Sequence, residues 1–272
     1  MSDDFLSGDS GQVTGIRATS RAIGVDLLHD TAALARGDRW GLARAARRSP
    51  RRRVLALGVE RTGAPNLLAG ARAELLGSHH EVCFASTSVG DRGKFENLNA
   101  LLAEHPPQGQ DWLVVVDDDV VLPAGFLDAF IFLAEGFGLR LAQPAHRARS
   151  HAAWQVTRRR ATSVARETSF VEIGPVFALH AATFEKLVPF PALRAGWGLD
   201  AHWSAIALAH GWKLGVIDAT PVRHGLRLVA AAYDRQAAIE EARQFLSGRP
   251  YTKASDAERT LVSHRSFRAR LR

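Results

Sequence analysis

A short apolar segment that runs directly into a triplet of carboxylates constrains the fold of this chain most. Residues Leu113 to Val116 read LVVV, a β-branched run typical of a strand buried on both faces of a sheet. Asp117, Asp118 and Asp119 follow it immediately. Because successive side chains of a strand point to opposite faces, the sequence predicts that Asp117 and Asp119 share one side at the strand end and that Asp118 faces the other.

This position of the acidic triplet predicts a metal site. Ligands of open α/β sheets bind at the carboxyl ends of the strands, and burying unpaired carboxylates there costs free energy. A divalent cation is a favourable partner, and hard oxygen ligands suit Mg²⁺ or Mn²⁺. The sequence therefore predicts that Asp117 and Asp119 hold such a cation. A solvated acidic turn or a helix N-cap is the alternative interpretation.

Strand and helix patterns alternate on the amino side of the triplet. Apolar runs at Val54–Glu60, His80–Ser86 and Leu113–Val116 are separated by helical patterns at Leu67–Leu76 and Lys94–Glu104. This order is typical of a parallel sheet with helical crossovers. We therefore expect an α/β fold with a mostly parallel central sheet flanked by helices.

The two ends of the chain differ from this core. Between Arg36 and Arg53 the sequence holds eight arginines and a single acid, which is either a solvated linker or a patch that makes weak peripheral contact with anionic lipid. An amphipathic helix over Ala230–Phe245 is followed by a basic tail. We expect a helical, basic N-terminal extension (1–53), a core domain (54–228) and a helical C-terminal extension (229–272).

The overall charge favours anionic partners. Among 272 residues there are 35 Lys and Arg against 28 Asp and Glu, which gives a formal net charge of +7. Cys83 is the only cysteine, so neither an intrachain disulfide nor a cysteine metal site can form. The acidic N-terminus is unlike a secretory signal, and charges interrupt every apolar stretch long enough to span a membrane. We therefore expect a cytoplasmic location.

Two further polar residues stand out against the apolar framework. Asp200 opens a predicted helix over Asp200–Ala209, where the helix dipole favours its ionised form and it could act as a general base. His224 follows a buried strand over Leu214–Ala219, and a neutral imidazole could join Asp117 and Asp119 around a metal. The alternatives are a plain N-cap for Asp200 and a bond to a backbone carbonyl for His224.

The order of these elements resembles the GT-A-type glycosyltransferases, and among them the family 2-like group. The resemblance covers Val54 to His224 and rests on VLALGVE, GKFENLNALL, the acidic triplet, GPVFALHAATFEKL, GWGLD and a terminal His. It implies a GT-A nucleotide-binding fold, in which the triplet matches the DXD motif that holds, through Mn²⁺ or Mg²⁺, the diphosphate of a nucleotide-sugar. Asp200 matches the base of inverting members and His224 the histidine that completes the metal site. Leu199 stands where an acid is often found, so the acceptor pocket is expected to differ.

The same resemblance places the two substrates. The nucleotide-sugar is expected at Glu60, Arg61, Thr62, Asp91, Lys94, Asn97, Asp117 and Asp118. The acceptor is expected at Trp197, whose ring offers an apolar face, and at Gly198. A core tryptophan is the alternative interpretation of Trp197. An arginine-rich loop from His146 to Arg166 is expected to fold over the phosphates, although a disordered insertion is equally consistent with its composition.

Together these observations predict a metal-dependent glycosyltransferase. It would move a sugar from a nucleotide-diphosphate donor to a hydroxyl acceptor with inversion, using Asp200 as the base. One alternative is an aspartyl phosphatase or phosphotransferase, which also has a D-x-D sequence after a buried strand. Another is a basic nucleic-acid-binding module without catalysis, but no nucleic-acid-binding motif is recognisable and we expect no such partner.

Overall fold

The computed structural model describes residues 3–8, 11–35, 38–225 and 234–268. The expected boundary between the core domain and the C-terminal extension, at 228–229, and the expected helix start at Ala230 lie outside these residues. The helices and strands are α1 (Ile16–Ala35), α2 (Asp38–Ala46), β1 (Arg53–Glu60), α3 (Leu68–Leu76), β2 (Glu81–Ser88), α4 (Lys94–Glu104), β3 (Trp112–Asp117), β4 (Val120–Val121), α5 (Phe126–Gly136), β5 (Leu139–His146), β6 (Ala165–Thr168), β7 (Val176–His180), α6 (Phe184–Leu187), α7 (Leu199–Ala209), β8 (Lys213–His224), α8 (Arg235–Leu246), α9 (Ala254–Ala257) and β9 (Thr260–His264).

The strands form one sheet in the order β2-β1-β3-β7-β5-β8-β6-β9, and β4 pairs with β8. Pairing is parallel for β2 with β1, β1 with β3 and β5 with β8. It is antiparallel where β7 joins β3 to β5, where β6 joins β8 to β9 and where β4 meets β8. The expected α/β fold with a central sheet flanked by helices is confirmed.

Alternate residues of β3 face two different layers of the core. Trp112, Val114 and Val116 pack with α3 and α5 on one face of the sheet. Leu113 and Val115 pack with α4, α7 and α8 on the other. The apolar run is therefore buried on both faces, as the sequence predicted, and its carboxyl end carries Asp117 to the edge of the sheet.

Two elements differ from the sequence-based expectations. Strand β8 continues beyond the predicted Ala219 to His224, because its second half pairs with β4 and β5. The tail beyond α8, expected to be helical and to lie outside the core, supplies β9, which pairs with β6 at one edge of the sheet. No residue of β9 is fully buried, so the strand has no apolar face that an alternating sequence pattern could reveal.

Helix α1 is held against the core by its two acids. The buried carboxylate of Asp26 accepts hydrogen bonds from the backbone N–H groups of Ala148 (2.8 Å) and Arg149 (3.2 Å). Asp30 pairs with Arg147, and with Arg159 at 2.7 Å. These bonds fix α1 to the loop that follows β5. None of the helices in the described ranges has both the length and the apolar character needed to cross a bilayer.

We expect the substitution Asp26→Ala to lower the free energy of unfolding by about 1–3 kcal/mol, because two backbone N–H groups would lose their acceptor in a buried place. Denaturant titration monitored by circular dichroism measures this value. Arg149→Ala is a suitable control, since only its backbone takes part in the contact and its side chain is expected to contribute within about 0.5 kcal/mol. An Asp26→Ala protein as stable as the parent would contradict this account of how α1 is held.

Candidate active site

Asp119 and His224 are brought together by the pairing of β4 with β8. In this antiparallel pair Val120 lies opposite His224, so the residue before Val120 lies beside the histidine ring. The distance from Asp119 Oδ1 to His224 Nε2 is 3.3 Å, and both side chains are largely buried. The structure thus joins one predicted carboxylate ligand to the predicted histidine ligand.

The strand alternation that was expected to place Asp117 and Asp119 on one side does not extend over the acidic triplet. Strand β3 ends at Asp117, and the next two residues form a turn into β4, so the alternation does not continue. Asp118 is buried in this turn. Its Oδ2 accepts a hydrogen bond from the N–H of Arg61 (2.9 Å), and its carbonyl oxygen accepts one from the N–H of Leu67 (2.6 Å). It therefore shapes the loop after β1.

Asp117 has a different partner from Asp119. Its Oδ1 lies 2.6 Å from Lys94 Nζ, at the start of α4. Gly174 borders this pair, since a Cβ added there would lie 3.6 Å from the amine and 3.8 Å from Asp117 Oδ2. The glycine therefore leaves space beside the ion pair. The three predicted metal ligands form two neighbouring contacts, Asp117 with Lys94 and Asp119 with His224.

The electrostatics of His224 reflect this carboxylate-rich surrounding. Burial acts to lower the pKa of His224, but the hydrogen bond and charge of Asp119 raise it, with further contributions from Asp117 and Glu172. The net result is a pKa above the ordinary value of histidine. A place that stabilises a positive imidazolium also suits a cation held between imidazole nitrogen and carboxylate oxygen, so the donors fit Mn²⁺ or Mg²⁺.

Asp200 lies in the first turn of α7 but does not cap it, so the alternative interpretation of Asp200 as a plain N-cap is wrong. The helix begins at Leu199, and Gly198 is the N-cap residue with φ of 81°. Gly196 also has a positive φ, and a Cβ there would lie 1.9 Å from the ring of Phe95. This close turn, available only to glycine, sets the position at which Asp200 enters the helix.

The carboxyl group of Asp200 is the most strongly perturbed acid of the site. Burial raises its pKa, the N–H of Ala201 at 2.9 Å from Oδ1 opposes this effect, and the charge of Glu172 raises it further. The resulting pKa is about 7. A carboxylate with this pKa is matched to accepting a proton near neutral pH.

Three residues near these groups were missed in the sequence. Glu172 influences both Asp200 and His224, and its Oε2 lies 3.2 Å from Nε2 of the buried His146. His151 packs edge-on against His224, with ring centroids 6.2 Å apart. Polar residues at the ends of apolar strands were the available signal, since His146 ends β5. Glu172 gave none, because it follows no regular strand.

The residues expected to hold the nucleoside lie at the end of β1 and beside it. Glu60 lines a cavity of about 540 Å³ together with Arg72, Phe84, Ser86, Glu104 and His105, among others. Arg61 is held by Asp118 through its backbone, and Thr62 is exposed in the following turn. This cavity therefore lies along the edge strand β2, next to the segment that was predicted to bind the nucleotide.

Two other residues expected at the donor hold the loop before α4. The side-chain amide of Asn97 donates to the carbonyls of Val89 (3.4 Å), Arg92 (3.2 Å) and Gly93 (3.0 Å). The carbonyl of Asp91 accepts from Arg194 Nη2 at 2.8 Å, whereas its side chain is exposed. These bonds fix the position from which Lys94 reaches Asp117.

The expected acceptor residues surround the start of α7. Trp197 is partly buried against the second core layer, and the guanidinium of Arg235 lies 5.9 Å from its ring centroid. Gly198 precedes α7 directly. The indole is thus already stacked with a cation on one side.

The loop from His146 to Arg166 is ordered by its own arginines. Arg147 and Arg159 bind Asp30, while Arg158 donates to the carbonyl of Ala152. Arg166 is fully buried and paired with Asp218 at 2.8 Å. Four of its six arginines are therefore engaged within the protein, and the expectation that the loop supplies them to phosphates is not met by these four.

A second group with metal-binding residue types lies at the amino end of β2. Among the described residues, His79, His80 and Asp128 are the set whose donor atoms all lie within 4.8 Å of one another. Asp128 Oδ1 already accepts hydrogen bonds from the Ser78 hydroxyl and the His79 N–H, and burial lowers the pKa of His80 to about 4. This second cluster is separate from the Asp119–His224 pair.

Several solved structures are similar to this chain. The structure of GalNAc-T7 with UDP, GalNAc and Mn²⁺ matches 73% of this chain at 10% identity and a TM-score of 0.50, and the chain spans 48% of its length. The match to S. aureus TarS 1-349 in complex with UDP-GlcNAc (11% identity, TM-score 0.47) covers 72% of this chain and 66% of the TarS chain. The match to A197 from STIV (16% identity, TM-score 0.43) covers 64% of this chain and 86% of A197.

This chain has a GT-A-like fold. The similarity to GalNAc-T7 supports this statement, and it extends to the fold alone because the sequences share so few residues. No protein-family model matches the sequence, and no curated protein matches it either.

Proposed function

We propose that this chain is a metal-dependent glycosyltransferase that moves a sugar from a nucleotide-diphosphate donor to a hydroxyl acceptor with inversion. The observation that carries this proposal is the meeting of the Asp119–His224 and Lys94–Asp117 pairs at the carboxyl end of β3, within a GT-A-like fold. The similar GalNAc-T7 structure contains UDP, GalNAc and Mn²⁺.

Asp119 and His224 would hold the divalent cation, with Asp117 as the neighbouring carboxylate. A bound cation would neutralise charge that develops on the departing diphosphate. Lys94 contributes a second positive charge next to Asp117, so the ammonium group can orient the same anion. Gly174 has no side chain to occupy the space beside Lys94 and Asp117, which supports binding of an anion there.

Asp200 would act as the general base. The acceptor hydroxyl gives its proton to the Asp200 carboxylate as its oxygen forms the new bond to the sugar C1, while the bond from C1 to the diphosphate oxygen breaks. A pKa near 7 makes the carboxylate a stronger base than an ordinary aspartate. Glu172 supports this by placing a second negative charge nearby, and Trp197 would contact the apolar face of the acceptor.

A thermal-shift experiment tests this function. We expect a nucleoside diphosphate to raise the melting temperature in the presence of Mn²⁺ and to have little effect with EDTA, because the diphosphate needs both the cation and Lys94. At a ligand concentration about a hundred times Kd, the stabilisation should be about 2.7 kcal/mol. UDP, GDP and ADP, followed by their sugar conjugates, would identify the donor. Stabilisation by duplex or single-stranded nucleic acid instead, with none by nucleotides, would contradict the proposal.

A further inference from the structure

Exposed apolar side chains are concentrated in one part of this protein. Eleven large hydrophobic residues of the described chain are exposed, and six of them lie within the short segment formed by α1 and the start of α2. These six are Ile16, Ile23, Leu27, Leu28, Leu34 and Trp40. Single exposed hydrophobics are ordinary on a protein surface, whereas such a concentration marks an interaction site.

Four of these residues form one continuous stripe along α1. Ile16, Ile23, Leu27 and Leu34 follow spacings of seven, four and seven residues, which return to the same face of a helix. At a rise of about 1.5 Å per residue the stripe is roughly 27 Å long. Ile16 is 86% exposed and Leu27 is 63% exposed, so neighbouring segments leave the stripe open. We call this surface the α1 face.

The charges around the α1 face are positive. The only acids of α1, Asp26 and Asp30, point towards the protein, where they hold the loop after β5. Arg17 and Arg21 are exposed at about 100° and 140° around α1 from the stripe, on the side opposite to Asp26 and Asp30. On and after α2, further arginines are exposed: Arg39, Arg44, Arg47, Arg48 and Arg51. The surface that would meet a partner therefore has an apolar stripe with exposed arginines on one side of it, while the two acids on the other side are held by the loop after β5.

We infer that the α1 face docks the protein on an anionic lipid bilayer. An interfacial helix buries an apolar stripe at the boundary between headgroups and acyl chains, while arginines bind anionic headgroups. Trp40, 80% exposed at the start of α2, suits the same interface. A second copy of the chain fits less well, because antiparallel contact between two α1 faces would bring the arginine borders of both copies together.

Docking through this face would also orient the candidate active site. Asp26 and Asp30 bind the loop that follows β5, and the same loop carries His151 against the ring of His224. The α1 face and the Asp119–His224 pair are therefore parts of one packed unit. The inference itself stands on the apolar stripe and its charges, and it does not depend on the proposed reaction.

Vesicle flotation with the full chain tests this inference. We expect wild-type protein to float with phosphatidylcholine vesicles that contain phosphatidylglycerol, and not with phosphatidylcholine alone. The double variant Ile23→Glu/Leu27→Glu should lose this binding, because it places charge at the centre of the stripe. Leu208→Glu is the matched control: Leu208 is 82% exposed on α7, away from α1, and its replacement should leave vesicle binding unchanged.

Two further variants test the charges separately. Arg17→Gln and Arg21→Gln should each weaken binding to the anionic vesicles by about fivefold, and added salt should reduce the difference. All altered side chains are exposed, so the melting temperatures should match that of the parent. Absence of wild-type binding, equal binding by Ile23→Glu/Leu27→Glu, or a homodimer in light scattering that this variant disrupts in the absence of lipid binding would each overturn the inference.

Discussion

Replacing Asp200 with Asn should lower the turnover number by about 10²–10⁴-fold while leaving the affinity for the nucleotide-sugar nearly unchanged. Asn keeps the size of the side chain, and its Oδ1 can still accept the hydrogen bond from the N–H of Ala201. It cannot accept a proton from an acceptor hydroxyl. Initial rates together with donor affinity from calorimetry measure the two quantities, and near-parental turnover would reject Asp200 as the base.

The pH dependence provides an independent measurement of the same group. Because burial and the charge of Glu172 raise the pKa of Asp200 to about 7, kcat/KM should rise with pH through about 7. Glu172→Gln removes one of the raising charges, so the midpoint of this profile should move to lower pH. Asp234→Asn is the matched control, since Asp234 is the N-cap of α8 and Asn caps a helix about as well as Asp.

The same pKa has a consequence for stability. The ordinary pKa of an aspartate is 3.8, and the folded protein raises the pKa of Asp200 to about 7. The group therefore contributes stability that is fully present at pH values below its unfolded pKa and is lost as the pH rises through its folded pKa. Asp200→Asn has no such titration, so its melting temperature should rise relative to that of the parent as the pH increases from about 4 to about 7. If the melting temperature of Asp200→Asn does not rise relative to that of the parent over this range, the carboxyl group is well solvated.

Replacing Asp119 with Asn should abolish the Mn²⁺-dependent part of the stabilisation by a nucleoside diphosphate. Asp119 is the carboxylate in contact with His224, and Asn offers a metal one neutral oxygen in place of a charged one. The loss of metal affinity should be at least about 100-fold, since removal of residues that only support a metal ligand already costs 10–100-fold. Mn²⁺ titrations monitored by thermal shift, with and without nucleotide, measure this effect.

Asp128→Asn is the control that separates the two candidate clusters. Asp128 belongs to the group with His79 and His80 at the amino end of β2, away from Asp119. The variant should melt at a lower temperature, because it weakens contacts of Ser78 and His79. The rise in its melting temperature on addition of Mn²⁺ and nucleotide should nevertheless equal that of the parent. If this rise is lost in Asp128→Asn and retained in Asp119→Asn, the cation lies in the group of His79, His80 and Asp128, which would contradict the proposed site.

The sequence by itself determined the framework in which these residues lie. The LVVV run was expected to be buried on both faces of a sheet, and the structure shows β3 buried in this way. The spacing of Phe95, Leu98, Leu101 and Leu102 predicted a helix over Lys94–Glu104, which is the observed span of α4. Such features follow from local periodicity, because the alternation or the helical spacing of apolar residues depends on neighbours in the chain.

Only the tertiary structure decided which polar groups meet. Asp119 contacts His224 because β4 pairs with a distant strand, and the expected alternation at Asp117 fails because β3 ends there. Glu172 acts on Asp200, although no pattern marked it. Periodicity shows which side of an element is buried but not which element covers it, since hydrogen-bonded pairing between distant strands has no local signature. The same reason left β9 and the docking of α1 through Asp26 to the three-dimensional structure.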